Sequence, residues 1–308
     1  MKKYLFFYAV AACVAISSVS CGSDDEDYLP PKTPVTLTEP EYASQAATFE
    51  ISGNAVQASS GKAFLSSLSF TESGKAIIEV ASGEGRKYVT CNVKIDGNTY
   101  TITDDSGKTV GTVRSSSTRS SETSSLIINI TVTIPGLGSL TFNTDNPVDA
   151  LKKVETISDS NNTSNIARTW YISNMNIVLE GDIALSKIEH SGNLKVFADA
   201  AEEAGAGLTA DEYKALSKTI KSVTLDKNGL FSLEYTDGGS EVCTWLWANT
   251  DQTKVNLKLR DGSEFGNKFL SDGSNITVDF TPTGCAFSLT TKITGSKTYT
   301  ATLTIVLK

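Results

Sequence analysis

The last third of the chain alternates between apolar and polar positions. Phe231, Leu233 and Tyr235 fall on one face of an extended segment, and Cys243, Trp245 and Trp247 fall on one face of the next. Val255, Leu257 and Leu259 repeat the pattern, then Ile276, Val278 and Phe280, Phe287 and Leu289, and Leu303, Ile305 and Leu307. Period-two alternation marks a sheet with one buried face. Asp226-Lys227-Asn228-Gly229, Asp237-Gly238-Gly239, Asp261-Gly262, Asp272-Gly273 and Pro282-Thr283-Gly284 punctuate these runs as turns. Short strands at regular spacing predict an antiparallel barrel or a sandwich.

Helical patterns are few. Asn146-Pro147 reads as a cap with a first-turn proline, and Val148, Leu151 and Val154 as the apolar stripe of a helix ending near Ser158. Leu194–Glu203 predicts another helix, stopped by Gly205 and Gly207. Thr209 and Glu212 form a capping box with Leu208 and Tyr213 as its staple, and Leu216 and Ile220 continue the stripe.

The chain also resembles itself. Ala46–Ser52 is similar to Ala167–Ser173, Leu65–Val80 to Ile220–Tyr235, and Asn129–Val132 to Asn275–Val278. Ser67 and Ser222, Gly74 and Gly229, and Glu79 and Glu234 match outright. Ordered matches of this kind predict a tandem duplication. The expected fold is mainly β: two related antiparallel domains at 43–157 and 167–308, joined by a polar linker at 158–166. The second domain carries a helical insertion near 193–221 and the first a C-terminal helix.

Composition supports real cores: 39% of the 308 residues are hydrophobic. The net charge of -8, with no dense basic patch, argues against nucleic acid as a partner. At the N-terminus, Lys2 and Lys3 precede the apolar run Tyr4–Ile16 and small residues follow, the layout of a signal peptide at 1–20. Cys21 comes next, then the acidic run Asp24–Asp27 and the prolines Pro30, Pro31, Pro34 and Pro40. This order resembles a surface lipoprotein of the Bacteroidetes type, although Ser18 stands where that family has a large apolar residue. The resemblance implies lipidation at Cys21, an acidic and proline-rich tether at 21–42, and anchoring in the outer membrane at the cell surface. The second domain resembles lipocalins in one respect. Thr169-Trp170 opens its first strand as their Gly-x-Trp does, with Arg168 in place of the glycine and the helix early rather than late.

Candidate chemistry is sparse. His190 is the one histidine, in an expected loop without a nucleophile or orienting acid beside it in sequence. No Gly-x-Ser-x-Gly elbow, zinc spacing or calcium loop is present. Cys91, Cys243 and Cys285 read as buried thiols, with a Cys243–Cys285 bond left open. Glu79 and Glu234, matched between copies, are expected mid-strand facing solvent. Trp245 and Trp247 leave the same strand face. With Trp170 they would fill a core, line a barrel, or offer a stacking platform. No cofactor or metal is implied. The functional expectation is a non-enzymatic surface lipoprotein binding a glycan, a lipophilic ligand or an outer-membrane protein partner. A structural accessory role and a surface glycan hydrolase are the alternatives. Any site at Trp170, Trp245 and Trp247 is expected at the end farther from Cys21.

Overall fold

The computed structural model describes residues 35–116, 122–153, 157–181, 185–203, 205, 207–210, 213–214, 217–259, 275–294 and 298–308. Cys21, the signal segment and most of the tether lie outside these residues. The fold is mainly β, an eight-stranded closed antiparallel barrel with extra strands. Closure decides the question of barrel against sandwich.

The N-terminal strands are β1 (Ala47–Ile51), β2 (Ala63–Phe70), β3 (Lys75–Ser82), β4 (Gly85–Asp96), β5 (Thr99–Thr103), β6 (Thr109–Ser115), β7 (Thr123–Ile134), β8 (Gly138–Asn143) and β9 (Val148–Lys153). Each pairs antiparallel with the next from β1 to β8. The long β7 carries β8 along one half and β9 along the other, and β9 bonds back to β1 to close the ring. β7 shows why the sequence does this. Leu126, Ile128, Ile130, Val132 and Ile134 point inward while Asn129, Thr131 and Thr133 point out. The interior is solid, with Phe49, Leu65, Leu68, Phe70, Ile78, Ile102 and Phe142 buried in one cluster.

Within the segment expected as a helix at 146–158, Val154 lies outside the described residues and Val148–Lys153 form the strand β9. Its spacing fits either reading, but Ala150 faces the core and Leu151 is exposed, which is alternation by two. Tertiary pairing with β1 and β7 overrides the weak local preference.

Helix α1 (Asn161–Ile166) occupies the expected linker, with Ser160 as its N-cap bonded to the Thr163 N–H. The C-terminal strands follow: β10 (Thr169–Trp170), β11 (Ile172–Glu180), β12 (Leu185–Glu189), β13 (Ile220–Leu225), β14 (Leu230–Tyr235), β15 (Ser240–Trp247), β16 (Lys254–Leu259), β17 (Asn275–Thr281), β18 (Gly284–Thr294) and β19 (Thr298–Leu307). β13 to β19 form a meander. β10 bonds to β13 and β11 to β19, so this set also closes on itself. Between β11 and β13 lie the extra strand β12 and helix α2 (Lys195–Glu203), the latter as the sequence predicts. Leu208 and Tyr213 pack against the core, Glu212 and Leu216 of the expected capping box and stripe lie outside the described residues, and Ile220 opens β13 rather than continuing a helix.

The two sets match in detail. A β-bulge falls between Leu65 and Ser67 against Val80 and Glu79, and again between Ile220 and Ser222 against Tyr235 and Glu234. The turn after β2 has Gly74 N donating to Thr71 O and Lys75 N to Thr71 Oγ1. The turn after β13 repeats both bonds, from Gly229 N to Asp226 O and from Leu230 N to Asp226 Oδ1. Gly74 and Gly229 both sit at positive φ, +75° and +81°, which explains why each is glycine.

These strands bury both faces, which simple alternation does not predict. All six residues of β14 are buried, Ser232 and Glu234 included. The outer faces of β3 and β4 pack on those of β14 and β15, where Ile77, Tyr88, Leu230 and Val242 form a separate small core. Contacts across this joint are reciprocal: Ser73 Oγ lies 2.6 Å from Thr169 Oγ1, and Asn228 Nδ2 lies 3.4 Å from Thr48 Oγ1. Glu79 and Glu234 therefore do not face solvent. Glu79 accepts from Ser67 and pairs with Arg86. Glu234 accepts from Ser222 at 2.7 Å and pairs with Lys75 at 3.1 Å and Lys221 at 2.6 Å.

A buried carboxylate stripped of a partner is costly. Lys75→Met should therefore lower stability by about 1–3 kcal/mol, softened because Lys221 remains. Urea denaturation measures this, and a change within error would show that Lys75 does not hold the joint.

Candidate functional site

The tryptophans are placed first by their donors. Trp170 is buried and its Nε1 donates to Ile166 O at 3.1 Å, while the Arg168 guanidinium lies 5.3 Å from its ring centre. Trp245 is buried and donates to Asp226 O at 2.9 Å. Trp247 is half-buried, donates to Thr163 Oγ1 at 2.9 Å, and meets Trp245 edge-on with ring centres 5.5 Å apart. The structure thus brings Trp245 and Trp247 together, with α1 closing over one end of the C-terminal ring. Trp170 and Trp245 have no face open to solvent, as a stacking platform would require.

The corresponding end of the N-terminal barrel is different. Glu79 pairs with Tyr88 and Glu234 with Ser240, so these two partners hold equal rank. Stepping along each strand then equates Cys91 with Cys243, Val93 with Trp245, and Ile95 with Trp247. The backbone agrees: Val93 N donates to Gly74 O, and Trp245 N to Gly229 O. Where one set has two indoles, the other has Val and Ile. A cavity of about 280 Å³ opens at this rim of the barrel, although neither Val93 nor Ile95 is among its described lining residues. Ser44, Gln45, Asn98, Tyr100, Ser115 and Lys152 line it, with Ala46, Ala47 and Gly97. These come from the start of β1, the β4–β5 hairpin and the ends of β6 and β9, all at one rim of the barrel. Tyr100 packs in an aromatic trio, stacked on Phe70 at 4.0 Å with Phe49 edge-on to both rings. Burial pushes the Tyr100 hydroxyl up to about 12. Gln45 Oε1 is buried without a hydrogen-bond partner. Sequence reasoning missed this cavity because no motif marks it.

The open cavity is therefore in the set without the tryptophans, close along the chain to the tether. The tether itself is not a free spacer throughout. Asn165 Nδ2 donates to Val35 O at 2.6 Å while Asn165 Oδ1 accepts from Leu37 N at 2.9 Å. Asn161, one turn earlier, donates to Val35 O at 2.8 Å. Leu37 packs against the C-terminal core and Tyr42 against the N-terminal one.

The remaining candidates are soon placed. His190 is exposed in the turn after β12. Cys91, Cys243 and Cys285 are free thiols, the last two buried. Burial pushes the Cys91 thiol up to about 11 and the Cys285 thiol higher still, which makes both poor nucleophiles. Among the described residues, no three His, Cys, Asp or Glu side chains gather as a metal site, and no helix is long and apolar enough to cross a membrane.

No protein-family model matches the chain, and no curated protein matches it. Among solved structures, it is similar to a crystal structure of a "putative outer membrane protein" from Bacteroides fragilis. That match has 12% identity and a TM-score of 0.24, and covers 86% of this chain and 98% of the other. At that TM-score the likeness carries no argument about this chain.

Two acids do meet, but inside the joint. Glu72 is buried with Oε1 accepting from Lys227 N at 3.0 Å, while its Oε2 has no hydrogen-bond partner. Asp226 of the opposite turn is its electrostatic neighbour, and Lys227 Nζ is directed to Asp159 at 3.1 Å. Burial first, and then the Asp226 charge, raise the Glu72 carboxyl from an ordinary 4.5 to about 8. The folded protein then holds a proton that the unfolded chain has already released. Stability should fall as pH rises from about 4.5 to 8. Glu72→Gln, neutral at every pH, should flatten that part of the profile. Thermal unfolding across this range measures both, and an identical slope in the variant would refute the assignment.

Proposed function

We propose that this chain is a lipid-anchored surface protein of the outer membrane. It consists of two tandem barrels related by duplication and works by binding rather than by catalysis. The observation that carries the reading is the fixed entry of the tether. Residues 35–37 are bonded along their backbone by two asparagines one turn apart on α1, and Leu37 is seated in the core. A strap held this way transmits the position of an anchor at Cys21 to the folded body. The export layout around Cys21 supplies the anchor, and several acyl chains on one residue hold a protein stably at a membrane. The four acids behind Cys21 keep the strap off anionic head groups.

The duplication is supported by the shared bulges, the shared turns and the equal rank of Ser67–Glu79 and Ser222–Glu234. The non-catalytic reading is supported by the acids. Glu72, Glu79, Asp226 and Glu234 lie buried in or beside the joint, out of reach of substrate. A lipophilic cargo is disfavoured by the barrel interiors, filled by side chains such as Phe49, Phe142, Leu257 and Val278. The same solid interiors favour, as a second reading, an accessory protein that scaffolds an outer-membrane complex.

Cys21→Ser should release the protein in soluble form when cells are fractionated, with the fold unchanged by circular dichroism. Membrane association equal to that of the parent chain would refute the anchor.

A further inference from the structure

We propose that the rim cavity of the N-terminal barrel binds a single neutral hydroxylated ring, such as the terminal unit of a glycan. The inference deepens the binding reading above and rests on it. Its size sets the first limit. At about 280 Å³ the cavity is at the small end of ligand pockets, room for one ring but not for a drug-sized or lipid molecule. One wall sets the second. Tyr100, one of the lining residues, is stacked on Phe70 with Phe49 edge-on, so that wall is continuous with the filled interior of the barrel.

The lining sets the chemistry. Gln45 Oε1 is an acceptor held out of water with no donor, a costly arrangement that a ligand hydroxyl would relieve. The terminal torsion of glutamine is soft, so Oε1 can turn toward a donor entering the cavity. Asn98 brings an amide and Tyr100 a phenol from the opposite wall, each able to donate to a ring oxygen. Among the described lining residues none is an acid and one, Lys152, is a cation, which disfavours a positively charged ligand, while the amides and hydroxyls suit one rich in hydroxyls.

The test uses the full chain carrying Cys21→Ser, so that anchoring plays no part. Glucose, galactose, mannose, N-acetylglucosamine and N-acetylgalactosamine at millimolar concentration are followed by saturation-transfer NMR and calorimetry. At least one should bind saturably. Gln45→Leu should weaken that binding about tenfold, the loss expected for one hydrogen bond with a buried acceptor. Tyr100→Phe, which removes one hydroxyl and keeps the aromatic stack, should weaken it as well and guards against a Gln45 variant that fails to fold. Trp245→Phe should leave it unchanged. No saturable binding to any of the five sugars overturns the proposal and leaves the fractionation result untouched. Binding lost on Trp245→Phe but insensitive to Gln45→Leu and Tyr100→Phe overturns it too, by moving the site to the other ring.

Discussion

The joint between the outer faces of β3–β4 and β14–β15 is the constraint on which the rest of the structure depends. A free-standing barrel buries one face of each strand and wets the other. Here the wet faces of two strand pairs are pressed together, so groups that would have been solvated must find partners inside protein. Uncharged groups do so in contacts across the joint, Thr90 with Ser240, and Ser73 with Thr169, whose reciprocal is Asn228 with Thr48. The charged groups do so less symmetrically. Glu79 has Arg86 from its own set, while Glu234 takes Lys75 from across the joint. A buried ion pair adds little net stability but penalises every arrangement that separates its members. Lys75 and Glu234 therefore serve mainly to fix the register of one strand set against the other.

The joint also explains where the acids went. Four carboxylates that sequence alone leaves available for chemistry, Glu72, Glu79, Asp226 and Glu234, all end up in or beside it. Glu72 is the extreme case, because the donor that would satisfy its second oxygen is missing and its neighbour is another acid. With these groups consumed by packing and the barrel interiors filled with aliphatic and aromatic side chains, any room for a ligand is pushed to the barrel ends.

Much of this was legible in the sequence, and the failures have physical reasons. Alternation by two found the strands because each has a true inner face. The matched Gly74 and Gly229 marked equivalent turns because only glycine is comfortable at their φ. The joint was invisible because Ser232, Glu234 and Ser67 look like ordinary solvent-facing positions, and nothing in a strand pattern says that its polar face is covered. β9 was misread because Val148, Leu151 and Val154 satisfy a helical spacing. The pairing that overrides it comes from β1 and β7, remote in sequence. α1 was missed because its six residues are almost all polar and its stability comes from the Ser160 cap and from the strap it holds, not from an apolar stripe.

The tryptophans carry the last step. Large aromatics in a chain with few catalytic residues invite a ligand-binding reading, yet their donors here reach the protein itself: Ile166 O, Asp226 O and Thr163 Oγ1. Trp170 and Trp245, with their N–H groups bonded and their faces covered, have no ring face left for a sugar, whereas Trp247 is half-buried. A barrel end fitted with such residues is a plug. The informative comparison is between the two ends: the same strand positions hold Trp245 and Trp247 in one ring and Val93 and Ile95 in the other. At the second of these ends Tyr42 packs over the Gly74 turn, and a cavity opens beside it, lined by Gln45, Asn98, Tyr100, Ser115 and Lys152 together with Ala46 and Ala47. Such a void is stable only if something polar occupies it, water or ligand. The tryptophans thus mark the barrel end at which, in the other strand set, the cavity lies.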